Sequence, residues 1–230
     1  MDKILSVAVL GSTGYVGLEL VKILQGHPNV KINFLGCENH KNLLINFFEN
    51  LHSYKNLPNL KLNDHFDPLN TDVLFLALPH GASHSYVKKF NNIIKIIDLS
   101  ADFRLDSFNL YKLNYNEDHS CPELLNSFVY GLPEVNKTKI KDISNVAIPG
   151  CYPTSILIPL IPLLDNNLLK SENIIIDSKS GYSGAGKKFP LSNIKNLENL
   201  NFYNYNTNEH RHICEIQQEL NKHSSNKINF

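Results

Sequence analysis

The chain has 230 residues, 42% of them hydrophobic and 19% charged, enough apolar material for one large domain or two small ones. Its 22 basic and 22 acidic residues cancel, so composition offers no electrostatic footprint for nucleic acid or an acidic membrane. The 4 cysteines stand far apart at positions 37, 121, 151 and 214, the start Met1-Asp2-Lys3-Ile4 is no signal peptide, and the apolar stretch from Ile156 to Leu164 is too short to span a bilayer. A soluble, cytoplasmic protein of a reducing compartment is expected.

Ile4 to Leu10 is a short apolar run rich in β-branched residues and reads as a buried parallel strand. Gly11-Ser12-Thr13-Gly14-Tyr15-Val16-Gly17 follows, then a helix whose Gly17, Leu20, Val21 and Leu24 share one face. Gly26 and Pro28 stop that helix, and Val30 to Gly36 reads as a second strand. Strand, glycine loop, helix and strand make a βαβ unit. In such a unit one glycine permits the turn off the strand and another lets a pyrophosphate approach the backbone. A third lets the helix pack close to the sheet. Ser12 and Thr13 add hydroxyl donors, although a glycine-rich turn without a ligand fits the same pattern.

Residues 37–70 carry no clear period. Glu38, His40 and Lys41 stand after the second strand, where the choice between a free and a phosphorylated ribose is made. Asp72 to Leu78 reads as a strand, Ala82 to Phe90 as a helix and Ile93 to Leu99 as a further strand. His80, Ser100, Asp102 and Arg104 fall at strand ends, where ligands gather in open α/β sheets and where capping residues are also common. Residues 105–145 read as polar and loop-rich.

Cys151 follows Pro149-Gly150 and opens an apolar helical run. A thiol at a helix mouth is favoured as thiolate, and a buried structural cysteine is the competing reading. Asn173 to Ser178 reads as a strand, followed by a glycine-rich loop from Ser180 to Lys188. That loop suits a backbone lying against a ligand or a plain surface turn. Leu191 to Asn208 has no legible fold. His210 and His212, at period two, would share one face of a strand. With Cys214 they lack a fourth ligand, so no metal site is expected. A thiolate, a glycine loop and a histidine suit acyl transfer coupled to hydride transfer.

Seven motifs occur in order: Gly-Ser-Thr-Gly-Tyr-Val-Gly (11–17), Leu-Pro-His-Gly (78–81), Asp-Leu-Ser-Ala-Asp-Phe-Arg (98–104), Tyr-Gly-Leu-Pro-Glu (130–134), Pro-Gly-Cys-Tyr-Pro-Thr (149–154), Ser-Gly-Tyr-Ser-Gly-Ala-Gly (180–186) and His-Arg-His (210–212). Over almost its whole length the chain resembles the N-acetyl-gamma-glutamyl-phosphate reductase family, NADPH enzymes of arginine biosynthesis. The resemblance implies a Rossmann-type parallel-sheet domain (1–148) followed by an α+β, semialdehyde-dehydrogenase-like catalytic domain (149–230). It implies Cys151 as nucleophile and His210 as acid/base, with NADP held by Gly11, Ser12, Thr13, Gly14, Tyr15, Val16, Gly17, Ser183 and Gly184. Arg104 and His212 would bind an acyl-phosphate substrate, and the protein would be a homo-oligomer, dimer or tetramer. Two alternatives share these motifs: a reductase of a related acyl phosphate, and an inactive remnant that binds a nucleotide. Three departures stand out: Cys214 where the family has proline, no Ser-Arg pair after the second strand, and an end at Phe230 where the family runs on for about one hundred residues. The chain is therefore expected to be truncated.

Overall fold

The computed structural model describes residues 3–39, 56–170, 173–187, 204–206, 209–224, 228 and 230. His40, Lys41 and most of the stretch from Leu191 to Asn208 lie outside them. The chain divides into two compact units: Met1–Arg104 with Ser120–Ile148, and Leu105–His119 with Pro149–Phe230.

The first unit is built on parallel strands. Its elements are β1 (Leu5–Leu10), α1 (Tyr15–Gln25), β2 (Val30–Cys37), β3 (Leu60–Leu62), β4 (Val73–Leu76), α2 (Ser83–Phe90), β5 (Lys95–Asp98), β6 (Phe128–Tyr130), α4 (Pro133–Asp142) and β7 (Asn145–Ala147). The sheet order is β3-β2-β1-β4-β5-β7-β6, and every pairing is parallel. The chain winds outward from β1 in both directions, so β1 and β4 flank the point where the strand order reverses. Strands in such a sheet are covered on both faces and read as continuous apolar runs, as in Val7, Ala8, Val9 and Leu10, all buried.

Leu18, Val21 and Leu24 of α1 pack with Val7, Val9, Ile32 and Leu35. Leu18 takes the buried place expected for Leu20, which is only half-buried. Elsewhere in the unit an edge-to-face ladder runs Phe34, Phe66, Phe90, with ring centroids 5.3 and 5.2 Å apart.

The stretch expected to be loop-rich holds β6, α4 and β7, with α3 (Phe108–Tyr115) before them. The two strands are three residues each and α4 buries no residue, so neither shows a period long enough to read.

In the second unit α5 (Cys151–Asp165) and α6 (Ile213–Leu220) join α3. Pro153 sits in the first turn of α5, where a backbone N–H would have no intrahelical partner. Pro159 and Pro162 lie inside the helix, which continues because Ile156, Leu157, Ile161 and Leu164 are buried along one stripe. Polar contacts tie α3 and its approach to α6: the Asp106 N–H donates to Gln218 Oε1 (2.7 Å), and Asn114 Nδ2 donates to the Arg211 carbonyl (2.8 Å). The strand expected at Asn173–Ser178 alternates exposed and half-buried residues but enters no ladder among the described residues. A strand needs a neighbour to satisfy its backbone, and Ile175 stands 93% exposed.

Candidate functional sites

The glycine loop turns directly off β1. Gly11 has φ 73°, and a Cβ there would stand 2.3 Å from the Ala77 carbonyl oxygen. A Cβ on Gly17 would stand 2.3 Å from the Gly11 oxygen and 2.8 Å from Ser12 Cα. Gly17 is thus required by the loop's own backbone rather than by the sheet. Gly14 differs: its nearest neighbour would be 3.5 Å away, an ordinary contact. It caps α1, whose first turn holds no acidic residue. A helix start with N–H groups, room at the cap and no carboxylate fits a pyrophosphate.

The Ser12 hydroxyl donates to the Gly36 carbonyl (2.9 Å), and the Ser12 N–H donates to the same oxygen (2.9 Å). Ser12 is fully buried, so it pins the loop to β2 rather than offering a hydroxyl outward. Asn63, which no sequence signal singled out, accepts a hydrogen bond from the Gly11 N–H (3.1 Å). Its Oδ1 occupies the place that a Cβ on Gly36 would need. Glu38 is exposed just beyond β2.

At the ends of β4 and β5 two buried carboxylates take opposite courses. Asp98 accepts from Ser83 Oγ (2.8 Å), the Ser100 N–H (3.0 Å) and Ser100 Oγ (2.7 Å). Burial dominates and pushes its pKa up to about 6. Asp102 accepts from the Gly81 N–H (2.7 Å) and the Ser83 N–H (3.1 Å), with His80 Nδ1 2.8 Å away. Burial would raise Asp102 too, but His80 and the backbone donor outweigh it and hold the carboxyl below its ordinary value. Arg104, expected to meet substrate, is 8% exposed and donates to the Ile148 carbonyl through Nε (2.7 Å) and to the Leu99 carbonyl through Nη2 (3.0 Å).

The second unit holds the thiol and the imidazoles. Cys151 is the first residue of α5 and is exposed, whereas Cys37 and Cys121 are buried. Burial raises the Cys121 thiol to about 11 and also raises Cys214. The turn before Cys151 is held from far along the chain: Glu215, 1% exposed on α6, accepts the Gly150 N–H (2.9 Å). Thr154 Oγ1 donates to the Gly150 carbonyl (2.9 Å).

His210 and His212 do not lie on a strand. His212 opens α6, and the Ile213 N–H bonds back to the His210 carbonyl (2.9 Å), so this segment is a turn into a helix. The two rings still meet, with centroids 4.8 Å apart. The His212 N–H donates to His210 Nδ1 (3.1 Å), which leaves the proton of the neutral ring on Nε2. Burial, then the Arg211 charge, holds the His210 pKa below the ordinary histidine value. Tyr205 Oη lies 3.4 Å from His210 Nε2 and donates to Tyr152 Oη (2.9 Å). Burial, the bond to Tyr152 and the charges of Tyr152 and Cys151 push Tyr205 up to about 12. Tyr205 lies in the stretch whose sequence has no legible fold, so its place beside His210 had no signal. His212 is 5% exposed, while Ser183 and Gly184 are exposed in a short 3-10 turn, Tyr182–Ala185.

Residues 6–143 match the family described as "Semialdehyde dehydrogenase, NAD binding domain", and residues 151–230 match "Semialdehyde dehydrogenase, dimerisation domain". The chain is 48% identical to the N-acetyl-gamma-glutamyl-phosphate reductase of Ehrlichia canis, over 94% of this chain and 62% of the relative. It is 41% identical to that of Vesicomyosocius okutanii, over 98% of this chain and 67% of the relative. A probable chloroplastic N-acetyl-gamma-glutamyl-phosphate reductase of Oryza sativa is 40% identical, over 96% of this chain and 54% of its own length. The chain thus spans 62% of the length of the Ehrlichia relative. Among solved structures, aspartate semialdehyde dehydrogenase II of Vibrio cholerae, complexed with ASA, superposes with a TM-score of 0.52 at 19% identity, covering 71% of this chain and 47% of that one. Aspartate semialdehyde dehydrogenase with NADP from Candida albicans gives 0.51 at 17%, covering 71% and 48%. These two share the fold. With both of its units matched, the chain belongs to the semialdehyde dehydrogenase family.

Proposed function

We propose that the chain carries the machinery for NADPH-dependent reduction of N-acetyl-L-glutamyl 5-phosphate to the 5-semialdehyde with release of phosphate, in arginine biosynthesis. The identity to N-acetyl-gamma-glutamyl-phosphate reductases supports this choice of substrate. The observation that carries the chemistry is an exposed Cys151 opening a helix in a unit that also holds a neutral, partly buried His210. The working division is residues 1–148 for the dinucleotide and 149–230 for catalysis and dimerisation. The dimerisation-domain match supports a homo-oligomer, and the cytoplasm is the compartment proposed for it. Among the described residues no helix is long and apolar enough to cross a membrane.

Cys151 attacks the acyl carbon, the carbon–phosphate oxygen bond breaks, and phosphate leaves with the bonding electrons. Phosphate needs little proton help as a leaving group. The backbone around Gly14 would hold the cofactor's pyrophosphate, and Ser183 and Gly184 are the residues assigned to the nicotinamide. When bound, the nicotinamide supplies the hydride that reduces the Cys151 thioester. His210 then protonates the former carbonyl oxygen through Nε2, a contribution worth roughly 10²–10⁴-fold. As the carbon–sulfur bond breaks, His210 takes the hydroxyl proton back, the carbonyl of the aldehyde forms, and the sulfur keeps the electron pair, which restores the Cys151 thiolate. Arg104 and His212 are assigned to the acyl-phosphate substrate; Arg104 donates to the Ile148 carbonyl, and the His212 N–H donates to His210 Nδ1.

The test is reduction of NADP⁺ by N-acetyl-glutamate semialdehyde in the presence of phosphate, paired with iodoacetamide labelling read by mass spectrometry. Cys151 should label before Cys37, Cys121 and Cys214. Cys151→Ser should abolish turnover and leave nucleotide affinity intact. Preferential labelling of another cysteine, or full turnover by Cys151→Ser, refutes the mechanism.

A further inference from the structure

In the second unit a chain of hydrogen bonds runs in one direction and ends on a hydroxyl that the proposed chemistry leaves unused. It starts at the His212 N–H, which donates to His210 Nδ1 (3.1 Å). The neutral His210 ring then carries its proton on Nε2, 3.4 Å from Tyr205 Oη. Tyr205 Oη in turn donates to Tyr152 Oη (2.9 Å). A phenol has one proton to give. Because Tyr152 Oη accepts here, its own proton is directed away from Tyr205, and among the described residues that proton meets no acceptor.

The Tyr152 ring is held as firmly as its oxygen. It meets the His210 ring edge to face, with centroids 5.0 Å apart, and the His212 ring at 6.1 Å. The Tyr205 ring stands tilted to it at 6.4 Å. These contacts fix the plane in which the hydroxyl lies. Tyr152 follows Cys151 directly on α5. The thiol is within electrostatic range of the hydroxyl pair: after burial and the bond to Tyr152, the charges of Tyr152 and Cys151 help push Tyr205 up to about 12. A half-buried donor of set direction, beside a nucleophile and without a protein acceptor, suits an oxygen that arrives with the substrate.

We infer that Tyr152 is a catalytic residue, donating a hydrogen bond to the acyl oxygen as negative charge develops there during attack by Cys151. This rests on the reading of Cys151 as the nucleophile. When the sulfur adds to the acyl carbon, the carbonyl π electrons move onto the oxygen, and a donor already in place stabilises that charge without reorganising. Tyr152 keeps its proton throughout, and proton transfer stays with His210. Tyr205 is a positioning residue: by donating to Tyr152 Oη it turns the Tyr152 proton toward the incoming oxygen.

Two reactions of the same thiol test this on the whole chain, with no cofactor needed. The ester p-nitrophenyl acetate acylates Cys151 through a tetrahedral oxyanion and releases p-nitrophenolate, which is read by its absorbance. Iodoacetamide alkylates the same sulfur at a saturated carbon, so no oxyanion forms, and mass spectrometry reads the rate. Tyr152→Phe should slow acylation about ten- to hundredfold, the worth of one hydrogen bond to a charged oxygen, and leave alkylation within about twofold. Retained alkylation also shows that the variant is folded around Cys151. Tyr205→Phe keeps the donor but loosens its aim, so it should slow acylation by less. Acylation at the wild-type rate in Tyr152→Phe, both reactions slowed alike, or a larger loss in Tyr205→Phe overturns the inference while the nucleophile stands. A wild-type chain acylated no faster than Cys151→Ser overturns the nucleophile and this inference with it.

Discussion

The glycine loop and the cysteine turn are both tight turns that open a helix, yet they are held by different forces. Around Gly11 and Gly17 the constraint is steric: the Ala77 carbonyl just past β4 leaves no space for a Cβ on Gly11, and the loop's own backbone leaves none on Gly17. Around Gly150 and Cys151 the constraint is a hydrogen bond from a buried carboxylate 65 residues away. The first turn is written in its own glycines. The second depends on α6, so it is no sturdier than the docking of that helix.

The contrast breaks most sharply at Gly11 and Gly17. A methyl at either position collides with backbone, and at Gly11 the left-handed φ adds strain. Gly11→Ala and Gly17→Ala should each cost about 3–5 kcal/mol, read as a fall in the urea midpoint at constant slope. Gly14→Ala, with an ordinary contact waiting, should stay within about 1 kcal/mol in stability. A Gly11→Ala protein as stable as Gly14→Ala would mean that the loop is not held sterically.

The two regions should also answer pH with opposite signs. Asp98 titrates near 6 when folded, against an ordinary carboxylate value of 3.8 when unfolded, so the folded chain binds the proton more tightly. Its contribution is fully present below the unfolded value and is lost as pH rises through 6, by an amount on the order of 3 kcal/mol. His210 runs the other way: its folded pKa is depressed, so stability falls as pH drops below the ordinary histidine range. Asp98→Asn should therefore flatten the stability profile between pH 4 and pH 7 (roughly the window set by those values) without touching the acid limb due to His210. A profile unchanged by Asp98→Asn would show that this carboxyl is not shifted.

Glu215 tests the other half of the comparison. Removing its carboxylate strands the buried Gly150 N–H, which costs about 1–3 kcal/mol. Glu215→Gln keeps an acceptor oxygen and should recover much of that. The informative readout is the labelling rate of Cys151, which should change in Glu215→Ala more than in Glu215→Gln. Equal rates in both variants and wild type would mean that the turn holds its shape without α6.

The same division explains what could be read from sequence. β1, the glycine loop, α1 and β2 are contiguous, and their periods, glycines and stops all lie within the window that reveals them. The place of Cys151 at a helix start was legible because Pro-Gly before a long apolar helix is a local signal. Asn63, Glu215 and Tyr205 were not singled out, because each acts on a residue far off in sequence: Gly11, Gly150 and Tyr152. The histidines were misplaced onto a strand for a related reason. Alternation at period two also occurs where a turn runs into a helix, and the return bond from Ile213 to His210 is set by α6. The strand expected at Asn173–Ser178 has the right alternation but no neighbour among the described residues.

The smallest effect belongs to Tyr205, which is 46% exposed. Tyr205→Phe deletes the hydroxyl between Tyr152 and His210 while keeping the ring against both. Water can replace a partly exposed hydroxyl, so folding stability should change by less than about 1 kcal/mol. The imidazole should notice more. Its Nδ1 is occupied by the His212 N–H, so Nε2 carries the proton and Tyr205 is the acceptor toward which it points. An acceptor stabilises a cationic ring more than a neutral one, because a charged donor makes the stronger hydrogen bond. Losing it should therefore lower the His210 titration midpoint further below the ordinary value. NMR titration of the His210 ring protons in wild type and Tyr205→Phe measures this directly. An unmoved midpoint would show that Tyr205 stacks beside His210 without sharing its proton.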